Sequence, residues 1–128
     1  MSLVHLAAVA ACAVLAGLAV FQAALISGAP LGRLAWGGQH KVLPAGLRVG
    51  SAVSIVLYAA FGYAALAKAE LVPSLGNEAV TAVVTWVLAA YFTLGVLMNA
   101  ISRSKSERAV MTPVALALAV FYLVLALS

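Results

Sequence analysis

Residues 3–27 read LVHLAAVAACAVLAGLAVFQAALIS, a run without a single Asp, Glu, Lys or Arg. A hydrocarbon core about 30 Å thick is crossed by about 20 apolar residues in helix. A helix also satisfies every backbone N–H and C=O within its own segment, as lipid demands. The run is therefore expected to span a membrane, with His5 at one interface and Gln22 and Ser27 near the other. Three more apolar runs follow at 46–67, 79–101 and 110–127. They are rich in Ala, Leu and Val and lack the alternation of outer-membrane strands. The fold they imply is an all-α integral membrane four-helix bundle, one transmembrane domain over residues 1–128.

Composition agrees. Hydrophobic residues make up 66% of the chain and charged ones 8%, with a mean hydropathy of +1.19, whereas charge approaches a quarter in soluble domains. The formal net charge of +4 points to membrane orientation and anionic lipid, because no free basic helix is left to enter a nucleic-acid groove. Cys12 is the lone cysteine, so an intrachain disulfide and a multi-cysteine metal site are excluded. Residues 9–12, VAAC, have the outline of a lipidation signal. However, no cation precedes them and the apolar run continues past them, which argues for a retained first helix with a plain thiol.

The cations are divided unevenly among the connections. Arg33, Lys41 and Arg48 belong to the first, Arg103, Lys105 and Arg108 to the third, and Lys68 alone borders the second, beside Glu70 and Glu78. Under the positive-inside rule the first and third connections are two basic cytoplasmic loops, and both termini lie outside. In the second connection Asn77 is placed to cap the third helix, with Glu78 favourable at its positive end. In the third, Ser104 and Glu107 have capping-box spacing, which starts the last helix near Lys105. Pro113 then falls within that helix, so a helix over 105–127 with a kink near 109 is expected. The first three helices are expected at about 3–27, 46–67 and 79–101.

Small residues recur at four-residue spacing on two helices: Gly46, Gly50, Ser54 and, past Tyr58, Gly62 on the second, and Thr81, Thr85, Ala89 and Thr93 on the third. Such faces permit close backbone approach and are expected to pack on each other or on a second copy. Tyr58 and Tyr91 stand near mid-membrane, either as core tyrosines bonded to carbonyls or threonines or as points on a polar path. No Asp, Glu, Lys, Arg or His lies at the middle of a span, where proton-coupled transporters keep one. The small multidrug resistance family shares the length and helix number but depends on a glutamate in its first helix, which is absent here.

The polar residues gather instead in the first connection, GAPLGRLAWGGQHKVLP, and around the third, NAISRSKSER. Gly28 and Pro30 end the first helix, Trp36 is an interfacial anchor, Gly37 and Gly38 allow a tight reversal, and Pro44 leads into the second helix. The candidate ligand-binding residues, for an anionic headgroup, are Arg33, His40, Lys41, Arg48, Asn99, Ser102, Arg103 and Arg108. Glu107 is expected to form a structural ion pair with Arg33, Arg48 or Arg103. Two readings stay open: an anion cradle, or an orienting anchor whose charges bind nothing. No catalytic set, metal cluster or phosphate loop can be assembled, and no cofactor is implied.

The two loops, with TPV opening the last span, resemble those of a family of small bacterial four-helix membrane proteins without known activity. The positions that carry the resemblance are Gly28, Pro30, Gly32, Trp36, Gly37, Gly38, Pro44, Arg48, Asn99, Ser102, Arg103, Glu107, Arg108 and Pro113. The resemblance implies a bacterial inner-membrane location and no known activity, and it does not identify a ligand. The leading functional reading is a non-enzymatic lipid-binding or accessory subunit, its partners being membrane lipids such as anionic phospholipid, a second copy or another membrane protein. An alternative is an oligomeric small-solute transporter or channel with Ser54, Tyr58, Thr85 and Tyr91 along its path. A second alternative is an enzyme acting on a lipid headgroup with His40 as base.

Overall fold

The computed structural model describes residues 2–128. Four helices, α1 (Leu3–Ile26), α2 (Ala45–Lys68), α3 (Glu78–Ala100) and α4 (Lys105–Leu127), are each long and apolar enough to cross a membrane. Their starts follow local chemistry. Ser2 accepts from the His5 N–H at 3.1 Å, Asn77 from Val80 N–H at 2.9 Å, and Ser104 from Glu107 N–H at 3.2 Å. Each satisfies one of the donors that a helix leaves free at its beginning. Pro113 lies inside α4, so the Ala109 carbonyl lacks its usual helical donor.

The helices form two antiparallel hairpins. α1 packs chiefly on α2 and α3 on α4; α1 also meets α4, while α2 and α3 touch much less. The ladder on α2 is therefore used differently from the expectation. A Cβ at Gly62 would stand 3.5 Å from Cys12 Sγ on α1, and one at Gly50 would stand 2.9 Å from the Trp36 ring. Gly50 leaves room for the indole, which a Cβ would crowd, while Gly62 faces α1 at ordinary contact distance.

The main core brings together Ala8, Ala11 and Leu15 with Ala65, Leu88, Phe92, Leu118 and Tyr122. These positions fill the half of the bundle nearer the termini and the second connection. Tyr122 is completely buried, and its hydroxyl donates to the Phe61 carbonyl at 2.6 Å, as a phenol in an apolar interior must. At the other end a smaller cluster of Leu25, Ala35 and Leu43, flanked by Phe21 and Leu47, roots the first connection on the helix ends. The space between these two clusters is incompletely filled.

Candidate ligand cleft beneath the polar cap

Residues 27–44 fold back over the bundle as a polar cap with two single 3₁₀ turns, Gly32–Leu34 and Trp36–Gly38. The Gly32 N–H donates to the Lys41 carbonyl at 2.8 Å, closing the strap on itself. Trp36 adopts φ 53, a left-handed conformation that costs a residue with a side chain about 1–2 kcal/mol. Its indole N–H donates to Ser51 Oγ at 3.2 Å, and its ring lies against Gly50. Those contacts hold the strained residue in place. Trp36 is thus a wall pinned to α2 as well as the interfacial residue the sequence suggests, with 42% of its surface still exposed.

The cap is tied to the start of α4. Ser104 Oγ donates to the Arg33 carbonyl, and Gly38, at φ 73, sits where a Cβ would collide with Ser104. The Gly37 N–H donates to Glu107 Oε2 at 3.2 Å. First and third connections therefore meet at one end, which holds Arg33, Lys41, Arg48, Arg103, Lys105 and Arg108.

Glu107 departs from its expected role. No Lys, Arg or His nitrogen lies within 4.0 Å of its carboxylate among the described residues, so there is no ion pair. Nor is the reciprocal half of the capping box made, since the Ser104 N–H goes to Ser102 Oγ at 3.2 Å. Glu107 as a whole is only 8% exposed, its Oε2 meets Gly37, and the residue lines a cleft beneath the cap. Its loop arginines are engaged elsewhere or point outward: Arg48 Nε donates to the Leu43 carbonyl at 2.8 Å, and Arg108 donates to the Ser102 carbonyl at 3.1 Å. Arg33, His40, Lys41 and Arg103 are exposed and have no side-chain hydrogen bond among the described residues.

Under the cap lies a cleft of about 370 Å³ walled by all four helices. The volume is within the range of small-molecule sites and equals about twelve waters at ~30 Å³ each. Phe21, Trp36, Tyr91 and Phe92 give it aromatic walls, and Gln22, Ser54, Tyr58, Asn99 and Glu107 give it polar points. Tyr91, Leu94 and Met98 on α3 line it and are exposed, so its mouth faces sideways, between the cap-side halves of α2 and α3.

Gln22 is the telling residue. It is 7% exposed; its amide NH2 donates to the Tyr58 hydroxyl at 3.2 Å, and its Oε1 has no partner among the described residues. A buried polar atom without a partner is rare and calls for an explanation. Thr112 Oγ1 is likewise unpartnered, but Thr112 lies outside the cleft lining. Two nearby donors are committed, Ser54 Oγ to the Gly50 carbonyl at 3.0 Å and Asn99 Nδ2 to the Gly95 carbonyl at 2.8 Å, while the Tyr58 hydroxyl only accepts from Gln22.

Of the eight sequence-derived binding residues, Asn99 lines the cleft; Arg33, His40, Lys41, Arg48, Ser102, Arg103 and Arg108 are outside its lining. Ser54, Tyr58 and Tyr91 meet there, whereas Thr85 is buried elsewhere and donates to the Thr81 carbonyl at 2.8 Å. Gln22 carried a signal that could have found it: a lone amide in a long apolar run must bond to something inside the bundle. Trp36 and Phe21 gave none. Among the described residues no group of three or more His, Cys, Asp or Glu side chains is placed to share a metal.

The fold and site together define a protein with four helices of membrane-spanning length and a laterally open cleft under a polar strap. Compared with known proteins, the chain matches no family model, no curated protein and no solved structure. The family resemblance of its two loops gains no support there, and the functional reading rests on the cleft.

Proposed function

We propose that the chain is a non-enzymatic integral membrane protein of a bacterial inner membrane that holds one amphipathic, membrane-dissolved molecule in the cleft under its cap. One observation carries the reading: the cleft opens sideways through exposed Tyr91, Leu94 and Met98 and ends at the buried, unpartnered Gln22 Oε1 and the buried Glu107. An apolar mouth suits a chain arriving from lipid, and a polar end suits a headgroup. The cations on the rim favour a cytoplasmic cap with both termini outside under the positive-inside rule, and they suit an attraction to anionic phospholipid.

The test is native mass spectrometry of the protein released from nanodiscs of native lipid. The wild type retains a bound amphiphile, and Gly95→Leu, which sends a side chain into the cleft, loses it. Equal retention by the two proteins would remove the reading. Orientation is checked in a Cys12→Ser background: an impermeant maleimide applied outside the cell labels Ser74→Cys and spares Lys41→Cys, and the reverse pattern would invert the topology.

A further inference from the structure

Resting on the cleft as a binding site, we infer that its ligand carries an N–H-bearing ammonium group on an apolar body, seated between Glu107 and Gln22. The argument is one of leftover chemistry. Glu107 is the sole carboxylate at the cap end of the chain, is nine-tenths buried and receives a single hydrogen bond, from Gly37, among the described residues. A carboxylate has about four lone-pair sites, and burying one without a cation is unfavourable. Yet six cations belong to the same end and, among the described residues, none pairs with it. The missing partner is a positive charge that these residues do not supply.

Three of the other polar points agree in sign. The Gln22 amide, Ser54 hydroxyl and Asn99 amide have each committed a donor to the protein, and Gln22, which lines the cleft, keeps a buried Oε1 as an unused acceptor among the described residues. The Tyr58 and Tyr91 hydroxyls also line the cleft and donate to no group among the described residues, so the sign rests on Glu107. An ammonium supplies N–H groups to that oxygen and to Glu107 together. Were the Gln22 amide turned over, Glu107 would still set the sign. Trp36, Tyr91 and Phe92 present aromatic rings, whose faces attract a cation. An anionic headgroup fits the exposed rim but not this interior, so the expectation of an anion site is confined to the outer surface.

Two sources share this chemistry, a free long-chain amine and the aminoethyl head of a zwitterionic lipid. The experiment titrates the Trp86→Phe protein, in which Trp36 is the remaining tryptophan, with dodecylammonium, dodecyltrimethylammonium, dodecanol and dodecyl phosphate in nanodiscs. Dodecylammonium is expected to change Trp36 emission at about tenfold lower concentration than the other three, since each lacks either the charge or the N–H donors. Glu107→Gln, which keeps an acceptor for Gly37, is expected to erase that preference.

If no dodecyl compound perturbs Trp36, the cleft is not a binding site and the underlying reading fails. If dodecanol or dodecyl phosphate binds as well as dodecylammonium, the cleft binds amphiphiles but the ammonium assignment is overturned. Equal binding of the trimethylammonium compound overturns the N–H requirement. Native mass spectrometry from nanodiscs of equal phosphatidylethanolamine and phosphatidylcholine then separates the sources. Selective retention of the ethanolamine lipid supports a lipid ligand, and retention of neither beside a positive dodecylammonium titration supports a free amine.

Discussion

At the end formed by the termini and residues 69–77, polar side chains find partners within the chain. Tyr63 donates to the Pro73 carbonyl at 2.8 Å, Lys68 Nζ to the Ser128 carbonyl and hydroxyl at 3.1 and 3.0 Å, and Thr81 Oγ1 accepts from Leu75 N–H at 2.8 Å. At the cap end Trp36, Arg48, Ser104 and Arg108 are bonded as well, but Gln22 Oε1 and the Glu107 carboxylate remain with unused acceptor capacity. Both ends face the same problem of closing helix termini at a membrane surface. The first ties its connection and chain end together through these bonds; the second closes around a space with two buried acceptors left over, and that leftover chemistry is what the proposed binding role rests on.

The sharpest way to test that contrast is to add one methyl group at each end. Gly38 and Gly76 have positive φ, 73 and 71, but a Cβ at Gly38 meets Ser104 and the Arg33 carbonyl while one at Gly76 meets nothing within 4 Å. Gly38→Ala is expected to lower stability by about 2–4 kcal/mol, backbone strain and overpacking together, and to release the cap from α4. Gly76→Ala is expected to lose about 1 kcal/mol through strain alone. Thermal unfolding in one detergent, with protease sensitivity across residues 39–42, measures both. A smaller loss at Gly38 would mean that the cap is not held against α4.

How much of this was legible beforehand follows from which interactions are local. Apolar run length placed the four helices, and short-range chemistry placed Asn77 and Ser104 at their starts, because a cap involves only three or four neighbouring residues. The cleft depends on where four helices fail to touch, which no single segment encodes. Glu107 shows the limit well. Its spacing from Ser104 has the look of a capping box, and six nearby cations suggested an ion pair, yet in the fold its carboxylate meets Gly37. Trp36 was legible as an interfacial residue but not as a wall, since its pairing with Ser51 requires the strap to double back over α2.

The next comparison sets one buried polar side chain against another. Tyr122, toward the closed end, donates a hydrogen bond to the Phe61 carbonyl; its removal in Tyr122→Phe is expected to cost about 1 kcal/mol. Gln22→Leu at the cap end gives up the contact with Tyr58 but also removes a buried oxygen without a partner, so the unliganded protein should change by less than about 0.5 kcal/mol. Retention of the bound amphiphile should nevertheless fall. If Gln22→Leu destabilised the empty bundle more than Tyr122→Phe does, the amide would be a structural strut and the distinction between the ends would fail.

The smallest effect is expected at the surface of the closed end. Lys68, itself half-buried, reaches the exposed Ser128 through two hydrogen bonds, and bonds at such an exposed site exchange with water at little net gain. Lys68→Ala should therefore change stability by less than about 0.5 kcal/mol. Arg48 offers the matching change at the cap. It is half-buried, donates to the Leu43 carbonyl and lies against Gly28, so Arg48→Ala should lose about 1.5–3 kcal/mol, the range for a hydrogen bond to a charged group. Unfolding of the two variants under one condition ranks them. Equal losses would indicate that Arg48 is as solvated as Lys68, and its charge would then belong to the outer rim facing anionic lipid rather than to the frame that holds the cap closed.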